Sequence, residues 1–180
     1  IESANAIVDE SQRDSTLNDI SSMLIINGEI YKALECAKLI KAKKYISWLI
    51  HRISNEFARQ GSFDDAFTCT RQISDINEKC RAFKVISEEL FRHGKIHESF
   101  ECARGIEREY WKSESLRFIS VELFKKGDLK EAMSLLLEAF ESARLAEDGS
   151  DKSILLVSIS NEFTRQGMLA EAMESLVGLY

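Results

Sequence analysis

Glu56, Glu89, Glu122 and Glu162 each stand five residues before a glycine, and a recurring carboxylate is the pattern here with most chemical reach. Carboxylates held in register can exchange protons with a substrate or hold a divalent cation. Each of these, however, is followed three residues later by a base: Arg59, Arg92, Lys125 and Arg165. That spacing puts both charges on one helix face and predicts an intrahelical pair contributing about 0.2–0.5 kcal/mol. A further base follows ten residues after the glycine at Lys38, Arg71 and Arg104, with Arg144 as their counterpart, and reads as another salt-bridge partner. His51, His93 and His97 are scattered, and none repeats with a serine or cysteine at a spacing that suits nucleophilic catalysis. No glycine-rich phosphate loop is present. The sequence assigns no catalytic residue, no metal ligand and no cofactor, so the expectation is a protein that is not an enzyme.

Cys36, Cys69 and Cys102 lie eight residues after successive glycines, so they are one structural position used three times. Stacked units should hold them beyond the roughly 7 Å Cα separation a disulfide allows. They read as small buried hydrophobes in a reducing compartment, with the cytoplasm as the expected location. Cys80 stands elsewhere in its repeat.

The elements that position these residues follow from the glycines themselves. Gly28, Gly61, Gly94 and Gly127 are 33 residues apart, and Gly167 follows. Before each stands an Ile-Ser pair: Ile20-Ser21, Ile53-Ser54, Ile86-Ser87, Ile119-Ser120 and Ile159-Ser160. Five residues after each stands a small residue: Ala33, Ala66, Ser99, Ala132 and Ala172. A period of this length marks an array of stacked units. Within a unit, Ala82, Phe83, Val85, Ile86, Leu90 and Phe91 form a helical stripe, which predicts a helix over Cys80–His93. Gly94 ends it, and Ile96, Ser99, Phe100, Ala103 and Ile106 keep the helical period in a second helix. No alternating apolar run bounded by turn residues occurs, so the fold class is all-α.

The serine seven residues before each glycine is expected to face the small residue five after it across an antiparallel turn. Its hydroxyl can satisfy itself on a carbonyl one turn earlier. A large side chain at Ser87 should overpack that crossing at a cost of about 1–3 kcal/mol.

A net charge of −6 and a pI near 5.2 argue against a phosphate backbone as the general partner. Hydrophobic residues at 44% and charged residues at 30% suit a folded chain, not a disordered one. No run of eighteen apolar residues and no signal peptide is visible, so no membrane span is expected.

This pattern resembles the tetratricopeptide repeat family over essentially the whole chain. The matching residues of the third unit are Phe83, Ile86, Ser87, Leu90, Gly94, Ser99, Ala103 and Ile106; those of the fourth are Leu116, Ile119, Ser120, Leu123, Gly127, Ala132, Leu136 and Ala139. Two departures stand out. The family's tryptophan in the first helix is replaced by Leu17, Ile50, Phe83, Leu116 and Leu156, and the chain has no proline to end its units. The resemblance implies a right-handed α-solenoid of antiparallel helix pairs that works as a non-catalytic scaffold, gripping a peptide or protein segment in a concave groove. Carried over unit by unit, the groove would hold Trp48, His51, Asn55 and Arg59, then Arg81, Lys84, Glu88, Phe91 and Arg92. Arg117, Val121, Phe124 and Lys125 would follow, with Asn161 and Arg165 in the last unit. Its basic, partly aromatic character suits an acidic peptide. The alternative is single-stranded RNA, read as by pentatricopeptide-like repeats at Asn18, His51, Lys84, Arg117 and Val157, which the acidic pI disfavours.

The expected organisation is one array over 1–180. Residues 1–13 complete a truncated unit, because Glu2–Ile7 aligns with Glu101–Ile106, and units follow at 14–46, 47–79, 80–112, 113–152 and 153–180. The cut ends would favour self-association. The fourth unit carries seven extra residues, nearly two helical turns, which keep the buried face in phase. The extension should end at a loop over Glu147–Asp151, and a protruding ledge with Leu135, Leu137 or Phe140 is a second candidate contact surface.

Overall fold

The computed structural model describes residues 9–147, 149–168 and 170–172. Among them the chain is all-α. The helices are α1 (Glu10–Ile26), α2 (Ile30–Leu39), α3 (Lys43–Arg59), α4 (Phe63–Arg71), α5 (Ile76–Arg92), α6 (Ile96–Arg104), α7 (Glu109–Lys126), α8 (Leu129–Leu145) and α9 (Gly149–Arg165). The first helices of successive pairs begin at Glu10, Lys43, Ile76 and Glu109, which repeats the 33-residue step of the glycines. Each begins four residues ahead of the expected unit boundary. The expected partial unit before α1 and the end of the last unit lie largely outside the described residues.

One turn is built five times. Gly28, Gly61, Gly94, Gly127 and Gly167 all have φ between 77° and 87°, the left-handed region that an L side chain enters only with strain. At the first of them, Gly28 N–H donates to Ile25 O and Glu29 N–H to Leu24 O, which closes α1. The carbonyl of the same Glu29 then accepts from Ala33 N–H and opens α2. Bonds in the same register occur at Gly61, Gly94, Gly127 and Gly167. The residue after the glycine thus ends one helix and starts the next.

Small side chains bring the paired helices together, as expected, but the serine bonds differently. Ser54 Oγ donates to Ala66 O at 2.9 Å, Ser120 Oγ to Ala132 O at 2.6 Å and Ser160 Oγ to Ala172 O at 3.0 Å. The hydroxyl therefore ties the first helix to the second across the turn instead of looping back on its own helix. Ser21, donating to Leu17 O at 2.8 Å, and Ser87, donating to Lys84 O at 2.7 Å, bond back on their own helix as expected.

The chain forms two compact units, Ile1–Glu89 and Leu90–Tyr180. In the first, Leu17, Leu49, Ile53, Phe57 and Ala66 are wholly or almost wholly buried. In the second, Leu116, Ile119, Leu136, Leu156 and Phe163 form one apolar cluster. Full burial of each large side chain contributes about 1.5–3 kcal/mol.

With no proline to break the chain between helix pairs, a polar residue fourteen positions before the glycine anchors the connector. Asp14, on α1, accepts from Lys41 N–H at 3.1 Å and Ala42 N–H at 2.8 Å through Oδ2. Ser47, on α3, shares a 3.2 Å bond with Ser74. Ser113, on α7, instead donates to Ala139 O at 2.8 Å, inside α8 and not in a connector. Cys80, unassigned from the sequence, occupies this same position and is buried.

The seven extra residues of the fourth unit lengthen its second helix: α8 has 17 residues where α6 has 9. The expected loop over Glu147–Asp151 is shorter than anticipated, because α9 already begins at Gly149. Leu135 and Phe140 are not on a ledge. Both are buried, and Phe140 packs edge-on against Phe163 at 5.9 Å, while Leu137 is exposed.

Candidate binding face

In the first unit, α3 and α5 carry the groove residues the repeat register selects. Trp48 is partly exposed, with the Arg52 guanidinium 4.8 Å from its ring centroid. Asn55 is half-buried, while Arg59 and Arg81 are exposed. His51 and Glu88 are corrections to the sequence reading: both are buried, so neither offers a surface to a partner. His51 Nε2 accepts from Asn55 Nδ2 at 2.8 Å, and Nδ1 lies 2.6 Å from Glu78 Oε2. Burial holds its imidazole below the ordinary value of 6.5, against the pull of Glu78 and with help from Arg81 and Arg52. Glu88 pairs with Lys84 at 2.9 Å. Both are inside because the helical stripe of α3 and α5 is wider than the apolar residues alone suggest.

In the second unit, Phe91 is a third correction. It is buried in the apolar cluster, under the Lys126 ammonium at 4.3 Å. Arg92 is exposed and lies 4.8 Å from the Phe118 ring centroid. On α7, Arg117, Val121 and Phe124 are half-buried and Lys125 is exposed. On α9, Asn161 and Arg165 are exposed, as are Ile154 and Val157.

The local basic surplus is smaller than a count along the groove implies. Arg59 pairs with Glu56 at 3.3 Å, Arg117 with Glu114 at 3.2 Å, Lys125 with Glu122 at 2.7 Å and Arg165 with Glu162 at 3.3 Å. Of the recurring glutamates, Glu56, Glu122 and Glu162 are therefore intrahelical partners, as their spacing predicts. They cancel much of the charge that would attract an acidic segment.

An open concavity lies in the second unit where α6 stops at Arg104, short of the longer α8. It is a shallow, open depression of about 540 Å3, lined by Arg104, Lys112, Leu116, Ser134, Leu137 and Glu141 among others. Its charges are compensated locally: Arg104 by Glu138, Lys112 by Glu109 and Arg144 by Glu141. The seven extra residues of the fourth unit are its one trace in the sequence.

Cys36, Cys69 and Cys80 are buried, Cys102 is half-buried, and none of the four is in a disulfide. Burial pushes Cys69 up to about 11 and Cys102 up to about 12. Among the described residues, no group of three or more His, Cys, Asp or Glu side chains is placed to hold a metal ion, and no helix is long and apolar enough to cross a membrane. Comparison with protein-family models and with curated proteins finds no match for this chain.

Proposed function

We propose that the chain is a non-catalytic scaffold, a right-handed α-solenoid of tetratricopeptide type that holds a segment of another protein along the shared face of its first helices. The observation that carries this reading is the five-fold recurrence of one helix–glycine–helix turn, with the first four helix starts 33 residues apart. Regular units of this kind present one side chain position repeatedly, which suits extended recognition better than a single reaction centre. Trp48 and Arg81 in the first unit, and Val121 and Phe124 in the second, would each supply apolar or cationic contact area to such a segment. Four cysteines outside any disulfide suit the reducing environment of the cytoplasm. Because most groove cations have an intrahelical glutamate, the partner is read as mixed and partly apolar more than strongly acidic. The same pairing disfavours single-stranded RNA, which needs uncompensated charge along the groove.

The test is affinity capture from a cell extract, with identification of the bound material and comparison of the parent chain with Trp48→Ala/Arg81→Glu and Phe124→Ala/Lys125→Glu. Circular dichroism establishes that each variant is helical. A protein whose purified form binds the parent chain and loses at least tenfold affinity in a variant supports the reading. Binding indifferent to both variants refutes it, as does recovery of RNA that salt releases.

A further inference from the structure

We propose that α9 is the contact surface for a second copy of this chain, the two α9 helices lying antiparallel about a twofold axis beside Val157. The repeat register picks out this side of the helix. Val157 stands ten residues before its glycine, as His51 does on α3, Lys84 on α5 and Arg117 on α7. At His51 the next first helix covers the position: the ring is 4% exposed, and its Nδ1 lies 2.6 Å from Glu78 of α5. In the second unit α7 packs along α9, with Leu116, Ile119, Leu156 and Ile159 in one apolar cluster. First helices therefore pack side by side, and this position is one through which they do so. On α9 it is uncovered, with Val157 44% and Ile154 61% exposed.

The chemistry of the face suits its own copy. Between Gly149 and Arg165 the exposed residues of α9 are Ser150, Ser153, Ile154, Val157, Asn161 and Thr164, none of them charged. At the register positions of Ile154 and Val157, α5 carries Arg81 and Lys84, and α7 carries Glu114 and Arg117. A twofold contact sets a face against itself, so a charged face repels its copy and a neutral one does not. Charge returns at the two ends of α9 with opposite sign, Asp151 in the first turn and Arg165 in the last. They are fourteen residues apart, nearly four whole turns, and so share one flank of the helix. An antiparallel pair joins like flanks and opposite ends, which brings Arg165 of each copy to Asp151 of the other. A parallel pair would instead set Arg165 against Arg165. Arg165 already pairs with Glu162, and at 75% exposure its guanidinium has donors left for a second carboxylate.

The contact stands apart from the partner-binding reading, and its test needs no other protein. One helix pair covers less than the roughly 1,200–2,000 Å2 of a standard interface, so the dimer should be weak, half formed at about 100 µM. Sedimentation equilibrium of the full chain, carried up to about 1 mM, reads this directly. Val157→Glu sets like charges together at the axis and should weaken association at least about tenfold. Arg165→Asp should weaken it too, and Arg165→Asp/Asp151→Arg should restore it. Val157→Cys should link two chains by a disulfide on air oxidation, because only a residue near the axis meets its own copy. Met133→Cys, 37% exposed on α8 before substitution, should not. Circular dichroism establishes that each variant is helical. A monomer at every concentration overturns the proposal, as does a dimer indifferent to Val157→Glu. Species that grow past the dimer overturn it equally, since they mark head-to-tail stacking. Should Val157→Glu not fold, the cysteine variants decide: linkage through Met133→Cys as efficient as through Val157→Cys sinks α9 as the contact.

Discussion

Arg104, the last residue of α6, grips Glu138 of α8 through two parallel bonds, Nε to Oε2 and Nη2 to Oε1, both 2.7 Å long. The two residues are 34 positions apart. Tyr31 of α2 donates to Asp65 of α4 at 2.8 Å across the same separation. One repeat plus one residue thus sets a side-chain link between second helices, once in each compact unit.

The geometry of the Arg104–Glu138 pair is good, but the side chains are 49% and 36% exposed, and water competes for both. A double-mutant cycle with Arg104→Ala and Glu138→Ala, read by thermal unfolding, should give a coupling of about 0.2–1 kcal/mol. A coupling above that range would show the pair to be better shielded than its exposure indicates. Arg104→Lys should lose most of the coupling, because a lysine cannot form the parallel pair.

Gly127 combines φ 87° with open space where a Cβ would sit. Substitution there is limited by backbone strain alone. Gly127→Ala should destabilise by about 1–2 kcal/mol, and Gly127→Asn by less, since asparagine tolerates the left-handed region better. Equal effects in chemical denaturation would contradict this account.

Asp14 is buried, and its Oδ2 satisfies two connector amides. Asp14→Ala leaves both donors without that acceptor and should cost about 1–3 kcal/mol. Asp14→Asn keeps one acceptor oxygen and should recover part of the loss. Hydrogen exchange at Lys41 and Ala42 would report the release locally.

Burial raises the thiols of Cys69 and Cys102 from an ordinary 9.0 to about 11 and about 12. Iodoacetamide at pH 8 should therefore label Cys69 about 100-fold more slowly in the folded chain than in denaturant, from its thiolate fraction alone. As pH rises past 9.0 the unfolded chain releases these protons first and so binds fewer than the fold. Stability should fall from about pH 9 towards 11–12. Rapid native labelling of Cys69 would overturn the burial argument.

The helices and their turns were legible because their determinants are local. Five glycines in one register demand five left-handed residues, and the structure places them at Gly28, Gly61, Gly94, Gly127 and Gly167. The glutamate–base pairs were legible for the same reason, since i and i+3 meet on any helix. What escaped was set by contacts between helices. His51 and Phe91 occupy register positions that suggest a surface, yet both are buried. The serine hydroxyl had two carbonyls within reach of a sequence argument, and only the packed pair shows that Ser54, Ser120 and Ser160 take the one on the partner helix. The connector anchor at Asp14 and Ser47 was hidden because its chemistry varies while its position does not.

The shared residue after each glycine leaves no slack at that bend. An added residue there would break the bond that closes one helix or the one that opens the next. Insertions should be accepted instead in the connectors, such as Gln72–Asp75 and Gly105–Arg108, or within a helix as whole turns. The one insertion this chain carries obeys that restriction: seven residues lengthen α8 while the bend at Gly127 keeps its bonds. Length variation in such a chain is thus channelled into elongated second helices, leaving the bends as fixed joints.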